Sequence, residues 1–68
     1  MQFIYRQLFK YIVTYFESGL APTAETIIFE VMYATSDDAL RAQFEYQKPE
    51  FEITNIQLVD VIDFADDF

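Results

Sequence analysis

One segment of the chain carries a helix start and a helix stop together. Thr35-Ser36-Asp37-Asp38-Ala39-Leu40 opens with hydroxyls that can accept a hydrogen bond from first-turn amides. Two acids then complement the positive end of a helix dipole. With Thr35 as the cap, Asp38 falls in the third helical position, a shortened capping box. Pro49 holds Lys48 away from helical angles and ends the segment. Leu40 and Phe44 share one face, so the pattern predicts a helix over residues 36–48, about three turns, packed inward through those two side chains.

The flanks are β-type. Residues 9–17 are aromatic and β-branched, with Ile12-Val13-Thr14 at their centre. Residues 18–25 contain Gly19 and Pro22 and read as a connection. Residues 26–34 alternate, with Ile27, Phe29, Val31 and Tyr33 on one face and Ile28, Glu30, Met32 and Ala34 on the other. Two such strands most simply form an antiparallel hairpin. Beyond Pro49, Phe51 and Ile53 face one way, but the next apolar residues are Ile56 and Leu58. That change of parity calls for a bulge near Thr54 and Asn55, or for a strand whose halves bury opposite faces. The expected fold is α+β in the order β-β-α-β, a three-stranded antiparallel sheet with one helix on one face. The chain reads as a single domain over residues 1–68, with an extended or frayed acidic end at residues 60–68. Ile4, Leu8, Tyr11, Ile12 and Tyr15 also recur at helical spacing, with Gly19 where a C-cap would stand. The β-branched run favours the strand there, while residues 1–8 fit either a short helix or an extra strand.

Composition excludes much chemistry. The 68 residues include no Cys and no His, so neither disulfides nor thiolate or imidazole metal sites can form, and the common nucleophile–base pairs are missing. A single glycine rules out a phosphate-cradling loop. Adjacent acids such as Asp37-Asp38 read as dipole partners, and Glu50 and Glu52 as the outward side of a strand. Asp60, Asp63, Asp66 and Asp67 lack the glycine turn and spacing of a calcium loop. No catalytic residue, cofactor or metal site is expected. Residues 3–16 are apolar but interrupted by Arg6, Gln7 and Lys10, too short to span a bilayer and without signal-peptide flanks. A cytoplasmic protein is expected.

Charge is unevenly spread. The first 24 residues hold Arg6, Lys10 and Glu17, a net of +1. From Glu25 onward eleven acids face two bases, Arg41 and Lys48, a net of −9. A strongly negative chain disfavours nucleic acid and anionic lipid as direct partners and favours a basic protein surface. The sequence is also 53% hydrophobic and 19% aromatic. A single helix covers one sheet face only, which leaves Tyr and Phe on the other as anchors for a partner or a second copy.

The run Ile28-Phe29-Glu30-Val31-Met32-Tyr33-Ala34-Thr35-Ser36-Asp37-Asp38-Ala39-Leu40, with Phe51-Glu52-Ile53-Thr54-Asn55-Ile56, resembles the small T7-type phage proteins that inhibit bacterial RNA polymerase. The preceding strand from Phe9 to Ser18 is compatible too, and with short gaps the likeness covers about two-thirds of the chain. It implies a hairpin, one helix and a third strand. Asp37 and Asp38 match the family's negative strip. The family's third strand grips its target with two arginines, and the matching positions here hold the uncharged Asn55 and Gln57.

The function expected is that of a small acidic phage-type protein that binds and inhibits a host nucleic-acid-handling enzyme, RNA polymerase among the candidates, by occluding a basic surface. The contact residues expected on the helix side are Asp37, Asp38 and Glu45. On the third strand they are Glu52, Asn55, Gln57 and Asp60, and at the acidic end Asp63, Asp66 and Asp67. An anti-CRISPR or DNA-mimic inhibitor is a variant of this reading. An assembly protein whose aromatics pair identical subunits, as in a homodimer, is the alternative of another class.

Overall fold

The β-branched run Ile12-Val13-Thr14 lies in an extended strand, and that strand is the spine of the molecule. The computed structural model describes the backbone of residues 3–67 and the side chains of residues 7–63. Strand β1 spans Phe3–Glu17, β2 Ile28–Ala34, helix α1 Asp37–Gln47 and β3 Phe51–Asp67. They form the expected α+β fold, a three-stranded sheet of order β2-β1-β3 with both pairings antiparallel and one helix. Residues 3–8 are neither a helix nor an extra strand: they continue β1. Met1 and Gln2 lie outside the described residues. The acidic end is extended as β3 through Asp67, in register with Phe3.

The turns follow from their residues. Leu20 N–H donates to Glu17 O at 3.1 Å across Ser18-Gly19, and Gly19 takes a φ of +93°, a conformation that side chains resist. Thr23 and Thr26 knot the connection: Thr23 N–H donates to Thr26 Oγ1 at 2.8 Å, and Ile27 N–H to Thr23 O at 2.9 Å. Those bonds hold Thr26 in a turn and tie Ile27 back to Thr23, so β2 begins at Ile28 instead of Thr26. Ser36 is the helix cap, its Oγ accepting from Ala39 N–H at 3.0 Å. With Ser36 in that role the capping box built on Thr35 does not form. Lys48 closes the helix by donating to Phe44 O at 2.7 Å. Phe51 N–H then returns to Lys48 O at 3.1 Å, with Pro49 early in that turn.

The helix lies on one face of the sheet. Tyr11, Val13 and Tyr15 of β1, Met32 and Ala34 of β2, and Leu40 and Phe44 of α1 form the core, with Val13 and Leu40 fully buried. Phe51, Ile53 and Ile56 pack against its β3 side. Ile53 and Ile56 reach that side together because Thr54 has no partner on β1: Tyr15 pairs with Ile53 and Thr14 with Asn55. This is the bulge that the parity change demands, and Thr54 Oγ1 donates to Thr14 O across it at 3.2 Å. A second bulge at Val59, between the pairs Lys10–Asp60 and Tyr11–Leu58, restores the phase before the strand runs on.

β2 pairs with β1 only from Phe9 to Tyr15. Before Phe9, β1 pairs with β3 alone, so a two-stranded arm projects from the helix-backed core. The molecule measures 53 × 21 × 13 Å. Its radius of gyration is 15.0 Å, against about 11 Å for a compact domain of this length.

Candidate interaction face

Directly opposite residues on antiparallel strands share a face, so the register assigns the paired, described side chains of the sheet to the helix side or the open side. The odd-numbered residues Tyr11, Val13 and Tyr15 lie under the helix. The even-numbered Ile12, Thr14 and Phe16 therefore belong to the open face. On β2, Phe29 stands opposite Thr14, Val31 opposite Ile12 and Tyr33 opposite Lys10. On β3, Glu52 stands opposite Phe16, Asn55 opposite Thr14, Gln57 opposite Ile12 and Asp60 opposite Lys10.

The open face is thus divided lengthwise. Phe29, Val31 and Tyr33 with Ile12 and Phe16 make an apolar half, of which Phe29 is 70% exposed, Val31 47% and Tyr33 45%. Glu52, Asn55, Gln57 and Asp60 make a polar and acidic half, all four exposed. Asp60 Oδ1 accepts from Val61 N–H at 2.8 Å, which fixes its carboxylate beside the second bulge.

The expected contact residues are not one site. Glu52, Asn55, Gln57 and Asp60 come together in this acidic strip. Asp37, Asp38 and Glu45 are exposed on the helix, which covers the opposite face of the sheet. Asp37 is also engaged, its Oδ1 lying 3.3 Å from Arg41 Nε one turn along. Asp63 pairs with Gln7 in the arm, on the helix-side parity. Asp66 and Asp67 pair by backbone with Ile4 and Phe3, farther out. Phe29, Val31 and Tyr33 were not among the expected contact residues. Their alternation was visible, but the burial of the opposite side, Met32 and Ala34, is decided by where the helix lands.

Two other clusters have structural explanations. Glu30, on the helix side of β2, accepts from Tyr15 OH at 3.2 Å and lies 3.7 Å from Lys48 Nζ. Burial raises the Tyr15 phenol pKa above its ordinary value, and the hydrogen bond and charge of Glu30 add to that shift. Lys48 Nζ sits 5.5 Å from the centre of the Tyr15 ring, so this half-buried pair clamps the helix end to the sheet. A shallow hollow of about 330 Å³ opens beside it between α1 and β3, lined by Arg41, Phe44, Glu45, Phe51 and Glu52 among others. Among the described residues, no three carboxylates gather where they would hold a metal ion. No helix among them is long and apolar enough to cross a membrane.

Compared with protein-family models, curated proteins and solved structures, the chain matches none.

Proposed function

We propose that this chain is a small acidic inhibitor that docks its open sheet face on a basic, nucleic-acid-binding surface of a host enzyme, in the manner of a phage-encoded protein acting in the host cytoplasm. The observation that carries the reading is the lengthwise division of that face. Exposed aromatic and branched side chains on β2 and β1 are the kind of anchors that supply affinity. The acids of β3 beside them, in a chain of net charge −8, supply the steering toward positive charge. A partner that suits both halves has an apolar strip bordered by Lys or Arg, the character of a surface on which nucleic-acid backbones lie.

Bacterial RNA polymerase is the first candidate target, on the resemblance of residues 28–40 and 51–56 to the phage inhibitors described above. Asn55 and Gln57 stand in the acidic strip where that family carries arginines. They contribute hydrogen bonds without cationic charge, so the proposed contact is with a net positive region of the enzyme.

The test is retention of bacterial proteins on the immobilised chain, with and without competing double-stranded DNA, beside a Phe29→Asp variant. The expected result is a nucleic-acid-handling enzyme that is released by DNA and not retained by the variant. Retention that neither DNA nor Phe29→Asp disturbs contradicts the proposal. Phe29 is exposed, so its replacement leaves the core alone.

A further inference from the structure

A different part of the molecule, independent of the open face, carries its own unmet bonding. β1 has a free edge where β2 stops. Ser18 N–H donates to Glu50 O at 2.8 Å, and Thr14 O accepts from Thr54 Oγ1. Both bulges add their residue to β3, so β1 itself alternates without interruption. Its even-numbered residues therefore turn their backbone groups to β3, and its odd-numbered residues turn theirs to the β2 side. β2 satisfies the odd residues from Phe9 to Tyr15 and ends at Ala34, the partner of Phe9. The chain then turns onto the helix face. Phe3, Tyr5 and Gln7 each keep one N–H and one C=O on an edge that no other described residue covers.

We propose that residues 3–7 pair with the same residues of a second copy, antiparallel about a two-fold axis at Tyr5, making a homodimer with one sheet continuous through both arms. In that register Phe3 stands opposite Gln7 of the second copy and Tyr5 opposite itself. Each free N–H then meets a free C=O, the self-complementarity that a two-fold interface requires. Residues 3–7 of the second copy lie opposite residues 3–7 of the first, short of Phe9, where β2 ends its pairing at Ala34, so these residues do not compete with β2 for the edge.

Three observations select a second copy. The arm is a two-stranded ribbon, and such ribbons are marginal in water until a third strand joins them. The free edge of β1 is also the one without acids: residues 3–8 carry Arg6 as their single charge in a chain of −8. The outer edge of β3 passes Asp60, Asp63 and Asp66. Two copies meeting along it would align their acids, the usual guard against edge pairing. The arm is unguarded.

Sedimentation over a range of concentrations, with amide exchange on the same samples, tests the proposal. The expected mass approaches twice 8.1 kDa as concentration rises. The amides of Tyr5 and Gln7 should slow about tenfold or more as it does. Gln7→Pro removes one outward N–H and leaves the β1–β3 ladder intact, and it should give a monomer. Val31→Pro, placed at the outer edge of β2, should leave the dimer. A mass of 8.1 kDa at every concentration overturns the proposal, as does a dimer that survives Gln7→Pro. If Gln7→Pro fails to fold, the exchange of the unmodified chain decides: rates at Tyr5 and Gln7 that ignore concentration refute the pairing.

Discussion

Leu40 and Tyr15 hold the helix to the sheet in different ways. Leu40 is fully buried among Tyr11, Val13 and Met32, with no polar group to satisfy, so its contribution is apolar burial and the filling of space. Leu40→Ala should cost about 2–5 kcal/mol in urea unfolding, a large share of what so small a core supplies. Tyr15 adds a polar handle, its hydroxyl donating to Glu30 while its ring meets Phe44 and Phe51 edge-on at centroid distances of 5.0 and 5.4 Å. Burial, and then Glu30, raise its pKa above 10.0 in the folded chain. The unfolded chain releases that proton first as pH rises. The Tyr15 contribution is therefore complete below pH 10 and declines as pH climbs through the folded pKa. Stability measured against pH for the parent and Tyr15→Phe should show a steeper alkaline decline in the parent. Parallel curves would deny the shift.

The elements were legible to different degrees, for physical reasons. The helix could be read because its signals are local: Ser36 caps it, two acids open it, and Pro49 follows its end. The Thr54 bulge could be read because Ile53 and Ile56 cannot share a face without one. The second bulge could not, since Val59 and Val61 are both apolar and no polar residue marks the change of phase. The arm was hidden because the pairing of residues 3–8 with the end of β3 spans almost the whole chain, and no local signal reports it. β2 shows its more hydrophobic side to solvent, so alternation located the strand but not which face would be buried. Within the candidate site, the acids of β3 were identifiable from charge; aromatic anchors on the open face were expected as a class, but not which face of β2 would supply them.

The bulge makes an element-scale prediction. Without Thr54, Ile53, Asn55 and Ile56 alternate in–out–in, so deleting Thr54 should leave a folded chain whose β3 keeps only the Val59 bulge. Deleting Thr14 from the unbulged β1 brings Val13 and Tyr15 next to one another and forces one of them out of the core. That chain should lose cooperative unfolding. Amide exchange and urea melts compare the two, and equal damage from both deletions would contradict the register.

At the scale of the molecule, one helix on a three-stranded sheet leaves a face for something else, and the arm leaves an edge. The helix-side acids Asp37, Asp38 and Glu45 point away from the open face, so solubility suffices to explain them. The acids of β3 are different because they border exposed Phe29, Val31 and Tyr33 across the same sheet face. The proposed division of labour, anchors for affinity and acids for encounter, separates in kinetics. The most direct measurement is the association rate with the retained enzyme against ionic strength, for the parent chain and for Glu52→Lys/Asp60→Lys. The parent rate should fall steeply as salt rises, and the variant rate should be slower with a flatter salt dependence. A parent rate that is indifferent to salt or climbs with it, or a variant that associates as fast as the parent, would contradict docking of this face on a basic surface.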